Sequence, residues 1–81
     1  MDEVIREVLS RYGQLAVDAA DVGDDDDLYR AGLTSHACVS VMLALEDRLG
    51  VELPDEALTR ATFASVGSIR AALASAGAHL Y

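Results

Sequence analysis

Ser35, His36 and Cys38 stand together at the start of the apolar run "GLTSHACVSVML", and they are the residues whose types could do covalent chemistry. A serine nucleophile needs a base within hydrogen-bond reach and a third group that orients the base. His36 does not fit as that base, because neighbours on a helix point about 100° apart. The glycine that would follow by two places in a nucleophile elbow is missing. His79 lies in the tail, with nothing in the sequence tying it to Ser35. The reading is that the chain has no catalytic residues and is not an enzyme. As the single cysteine, Cys38 excludes an internal disulfide and a multi-cysteine zinc site. The acidic run Asp24 to Asp27 is the remaining candidate, as a calcium loop. Counted from Asp24, the fifth and sixth loop positions are Leu28 and Tyr29, where an oxygen ligand and a glycine are required. No metal site is expected, and the run reads as solvated charge.

Two roles remain open for the serine. Either Thr34 or Ser35 can cap the helix that follows, a contribution of about 0.5–2 kcal/mol. Two candidate caps leave one hydroxyl free. A free hydroxyl at a helix N-terminus is well placed to carry a phosphate group, since the exposed N–H groups and the positive end of the dipole favour an anion there.

The elements that must position this hydroxyl are helical. Residues 2–12 place Val4, Ile5, Val8, Leu9 and Tyr12 on one side, with Asp2 and Glu3 in the first turn and Gly13 as a stop. Residues 13–33 show no period, but Leu15, Val17, Val22, Leu28, Tyr29 and Leu33 would pin them down as a long ordered loop. The second helix, residues 35–49, carries two apolar surfaces. Cys38, Val41, Met42, Leu45 and Leu49 form the broad one, while Val39 and Leu43 lie on another side beside His36, Ser40 and Asp47. Short helical turns are expected over about 55–64, with Thr62 as a possible cap, and a last helix over about 66–76 with Ser65 as its N-cap. The fold class predicted is all-α: a small four-helix bundle of three longer helices and a short third one, in a single domain spanning 1–81. Aromatics at 5% leave Leu, Val, Ile and Ala to build the core, which suits helices better than a sheet.

Fourteen acidic residues against six arginines, with no lysine, give a net charge of −8. That balance argues against nucleic acid as a ligand and predicts partners with basic patches. No secretory signal or long apolar span is visible, so the chain is expected to be cytoplasmic, off the membrane and monomeric.

The acidic loop, "LYRAGLTS", the apolar helix and "ALEDRLGVELPDE" together resemble the acyl and peptidyl carrier proteins, across roughly residues 2 to 76. The resemblance implies that Ser35 receives 4′-phosphopantetheine from coenzyme A, and that the thiol of this arm carries acyl or aminoacyl groups as thioesters. It implies a phosphopantetheinyl transferase, an acyl- or aminoacyl-activating ligase and downstream biosynthetic enzymes as partners. It also implies a docking face on the second helix, here Thr34, His36, Val39, Ser40, Leu43, Glu46 and Asp47. Thr34 stands where the family's signature has aspartate and His36 where it has leucine, which bears on partner choice more than on attachment. Length and composition suggest a free-standing carrier of bacterial specialised metabolism. "GLTSHA" and "LTRATFASV" look closer to carriers of aminoacyl groups than to the fatty-acid type. A fatty-acid or polyketide carrier is the alternative, and an adaptor acting only by protein–protein binding is the reading from another class.

Overall fold

The computed structural model describes residues 2–77. Three α-helices form the described part, α1 (Asp2–Tyr12), α2 (Ser35–Leu49) and α3 (Val66–Ser75), with one 3₁₀ turn at Ala19–Asp21 and another at Asp55–Ala57. The short third helix expected over 55–64 is thus a single 3₁₀ turn, followed by irregular turns through Phe63. Pro54 sets an extended entry to that turn. Thr62 does not cap a helix here; its N–H donates to the hydroxyl of Thr59 at 3.2 Å.

Helix α1 is central and packs against both α2 and α3. Its apolar stripe delivers Ile5, Val8 and Leu9 to the core, where they meet Val41 and Leu45 of α2 and Val66, Ile69 and Leu73 of α3. Tyr12, at the last turn of the same stripe, is 45% exposed and lies outside the core. Ala37 and Phe63 are core residues that periodicity did not single out, and Phe63 is among the largest fully buried side chains.

The segment between α1 and α2 is held by a few buried side chains and by arginines. Val22, Leu28 and Leu33 reach the core, whereas Val17, expected among them, is 52% exposed. Arg6 donates to the carbonyls of Ala19 and Val22, and its other nitrogen pairs with Asp24 at 3.0 Å. Arg70 of α3 reaches the same Asp24 at 3.2 Å. The aspartate run is therefore more than solvated charge. Asp24 ties the loop to α1 and α3, Asp26 accepts from the N–H of Gly23 at 2.7 Å, and Asp27 accepts from that of Tyr29 at 2.9 Å.

Arg70 also grips Asp2, with both carboxylate oxygens within 2.7 Å of one guanidinium nitrogen. The hydrogen bond from Arg70, helped by its charge, holds the Asp2 carboxyl below its ordinary value of 3.8. A depressed carboxyl contributes stability above its unfolded pKa and loses it as pH falls through the folded value. Asp2 is partly exposed, so solvent screening keeps the contribution modest. The expected result is that Arg70→Gln lowers the melting temperature at pH 7, and that the gap to wild type shrinks as pH falls below 3.8. A gap of equal size at pH 7 and pH 3 would contradict this assignment.

Candidate functional site

The site is built where the long loop turns into α2. Gly32 has φ +115, and a Cβ there would come within 2.8 Å of the backbone nitrogen of Ala16. The close approach lets Ala16 donate its N–H to the carbonyl of Ala31 at 2.7 Å, so the loop's two ends meet immediately before the helix. Leu33 then inserts into the core and fixes where the helix starts.

Of the two candidate caps, Thr34 is the one used. Its backbone is extended and its hydroxyl accepts from the N–H of Ala37 at 3.1 Å. Ser35 becomes the first residue of α2, exposed, and its hydroxyl has no hydrogen-bond partner among the described residues. Loop geometry has thus separated the two roles that the sequence left open: one hydroxyl holds the helix and the other is free.

Ser35, Val39, Leu43 and Asp47 recur every four residues and form a stripe along one side of α2. Val39 is 42% exposed and Leu43 57%, which makes them the apolar part of that stripe. His36 is exposed beside it and Ser40 half-buried. Glu46 is different: its carboxylate accepts from the N–H of Leu53 at 2.7 Å and so is engaged in holding the link after α2. Gly50, at φ +65, ends the helix in the left-handed conformation.

A cleft of about 280 Å³ opens beside Ser35, between α2 and residues 58–63. Phe63 and Cys38 supply buried apolar surface, Val39 and Leu58 its exposed rim, and Tyr29 and Arg60 its polar side. The Tyr29 hydroxyl donates to the carbonyl of Arg60 at 2.9 Å, which leaves the Cys38 thiol as the donor in its 3.9 Å contact with that oxygen. Burial, with the neighbouring thiol, pushes the Tyr29 phenol up to about 12, and burial likewise raises the Cys38 thiol. Both stay protonated and unreactive at neutral pH. Leu58 lines this cleft, while Ile69 fills the core and Ala61 faces a second depression behind Tyr29.

No cluster of three or more His, Cys, Asp or Glu side chains suited to a metal occurs among the described residues. His79 lies outside them. No helix among them is long and apolar enough to cross a membrane.

Residues 3–73 match the protein family described as the phosphopantetheine attachment site. The chain belongs to this family of carrier proteins. It is 44% identical over 69 residues to an aminoacyl carrier protein of Agrobacterium fabrum (strain C58 / ATCC 33970), a match covering 85% of this chain and 83% of that protein. Among solved structures, it superposes with a TM-score of 0.87 and 40% identity on a chain covered to 99%, with 91% of this chain covered. That chain comes from a crystal structure of an engineered Bradyrhizobium japonicum glycine:[carrier protein] ligase complexed with a carrier protein from Agrobacterium tumefaciens and AMP. A second structure, the Bradyrhizobium japonicum ligase with a glycylated carrier protein, matches at a TM-score of 0.73 and 31% identity, covering 88% of this chain and 95% of that one.

The cofactor of a carrier of this family is covalently attached 4′-phosphopantetheine. The residues at the head of α2 fit such an attachment: a hydroxyl exposed to solvent, outside every hydrogen bond of the described fold, and adjacent to a cleft rather than closed inside one.

Proposed function

We propose that Ser35 carries the 4′-phosphopantetheine arm, and that the protein, a single domain, holds aminoacyl groups as thioesters on it and passes them between biosynthetic enzymes. The observation that carries this reading is the unengaged, exposed Ser35 hydroxyl at the first position of α2, with Thr34 taking the cap. Bound there, the arm supplies a thiol that forms and exchanges thioesters. The chain itself supplies the anchoring oxygen and a surface for partners, with no base hydrogen-bonded to the serine among the described residues, so the chemistry belongs to those partners. The aminoacyl cargo is supported by the aminoacyl carrier relative and by the glycine ligase complexes that hold similar chains.

The partners are a phosphopantetheinyl transferase, an aminoacyl-activating ligase and the enzymes that take the loaded group onward, all met by a cytoplasmic, monomeric carrier of bacterial specialised metabolism. Docking uses Val39 and Leu43, with Thr34, His36, Ser40 and Asp47 around them and Glu46 adding charge from its tethered position. A surface this small, with so few apolar side chains, suits contacts at the low end of interface sizes, which release quickly.

The test is loading. Holo protein, ATP, glycine and a glycine-activating carrier-protein ligase are expected to give one hydroxylamine-labile glycyl adduct per chain. Leu43→Asp is expected to lower kcat/KM for that loading by about 30-fold or more, the effect of losing a central apolar contact worth about 2 kcal/mol. A holo chain that accepts a fatty acyl group and no amino acid would contradict the assigned cargo.

A further inference from the structure

Arg60 stands apart from most of the basic residues of this acidic chain. Arg6, Arg11, Arg48 and Arg70 each pair with a carboxylate among the described residues. Arg30 lies in a depression among Asp25, Asp26 and Asp27. Arg60 has no carboxylate within 4 Å among the described residues, although Asp25 and Asp27 line the shallow depression on its other side. Its guanidinium carbon sits 4.1 Å from the centroid of the Tyr29 ring, and the Tyr29 hydroxyl donates to the Arg60 carbonyl at 2.9 Å. The same tyrosine therefore holds both the backbone and the side chain of Arg60, against the cleft that Ser35 also lines.

We infer that the Arg60 guanidinium, stacked on Tyr29, binds the phosphodiester of the arm attached at Ser35. The inference rests on Ser35 being the attachment point. A guanidinium fork matches phosphate oxygens in geometry and charge, and stacking on an aromatic ring preorganises it. The apolar floor supplied by Phe63 and Cys38 lowers the local dielectric and strengthens the attraction. The surrounding charge makes a local cation useful, because a chain of net charge −8 otherwise repels a phosphodiester. The ammonium of an aminoacyl cargo would be repelled by Arg60. The cleft thus holds the root of the arm and leaves its loaded end outside.

The experiment is NMR on the apo and holo full-length chain, with intact mass read first. A chain that takes no arm overturns the functional reading and this one with it. On an armed chain, the Arg60 Nε–Hε resonance is expected to move between apo and holo forms. The ³¹P resonance of the arm in Arg60→Gln is expected to fall back to its position in the denatured chain, while Arg60→Lys lies between. Arg60 resonances identical in apo and holo protein, with one ³¹P shift for wild type and Arg60→Gln, would overturn this inference and leave Ser35 attachment standing.

Discussion

Incubated with coenzyme A, magnesium and a broad-specificity phosphopantetheinyl transferase, the wild-type chain is expected to gain the mass of one arm, and Ser35→Ala none. The effect is all or none because no neighbouring hydroxyl can take over. Thr34 is committed to the N–H of Ala37, and Ser40 lies more than a turn further along the helix, half-buried. The substitution is mild for the fold, since Ser35 is exposed and makes no hydrogen bond among the described residues. Its stability is expected to stay within about 0.5 kcal/mol of wild type, as for other surface changes. Thr34→Ala, by contrast, removes a cap contributing about 0.5–2 kcal/mol while leaving the acceptor serine in place. Loss of the arm together with an unchanged melting curve therefore separates chemistry from folding.

Phe63→Ala is expected to have the largest effect on the fold. The ring is 1% exposed and joins the core of all three helices from an irregular turn. Truncating a buried phenylalanine costs about 3–5 kcal/mol through lost burial and the cavity left behind. A chain of this size has roughly 4–12 kcal/mol of stability in total, at about 0.05–0.15 kcal/mol per residue, so much of it would go. Thermal denaturation should show a fall of the order of 15–30 °C, at about 4–8 °C per kcal/mol for a domain of this length. Leu58→Ala is the control on the same segment: that side chain is 41% exposed, and its loss should shift the transition by only a few degrees. Equal melting temperatures for Phe63→Ala and wild type would show that residues 58–63 are not packed as described.

The contrast between these residues marks what the sequence made legible. Helices α1 and α2 carry regular apolar spacing over three or more turns, and their residues follow it because a helix buries one side. Ser65 was readable as a cap by residue type, and its hydroxyl does accept from the N–H of Ser68 at 3.1 Å, while the Ser68 hydroxyl accepts from the N–H of Ser65 at 3.0 Å. The stripe beginning at Ser35 was readable for the same reason: Val39 and Leu43 had no place on the side that faces the core.

Irregular backbone gave no such guide. Phe63 lies in a stretch without a period, and nothing local distinguishes its burial from the exposure of Leu58 five residues earlier. Val17 and Val22 have the same side chain in the same loop, yet one is exposed and the other buried, because tertiary contact decides where an irregular loop touches the core. Tyr12 fits the helical period and is still 45% exposed, because period alone does not say whether a neighbour covers the last turn. The ion pairs and the cation–π contact join residues far apart in sequence, Asp2 with Arg70 and Tyr29 with Arg60, so spacing cannot reveal them. The Glu46 bond to Leu53 likewise depends on how the link after α2 folds back.

Fragmentation mass spectrometry of the holo wild-type chain locates the modified residue and so asks whether the Ser35 oxygen, and no other, bears the arm. A single modified site, Ser35, is expected in every armed molecule. Finding the arm on Ser40, Ser65 or any other hydroxyl, or finding the chain unmodified after exhaustive incubation with active transferase, would contradict it.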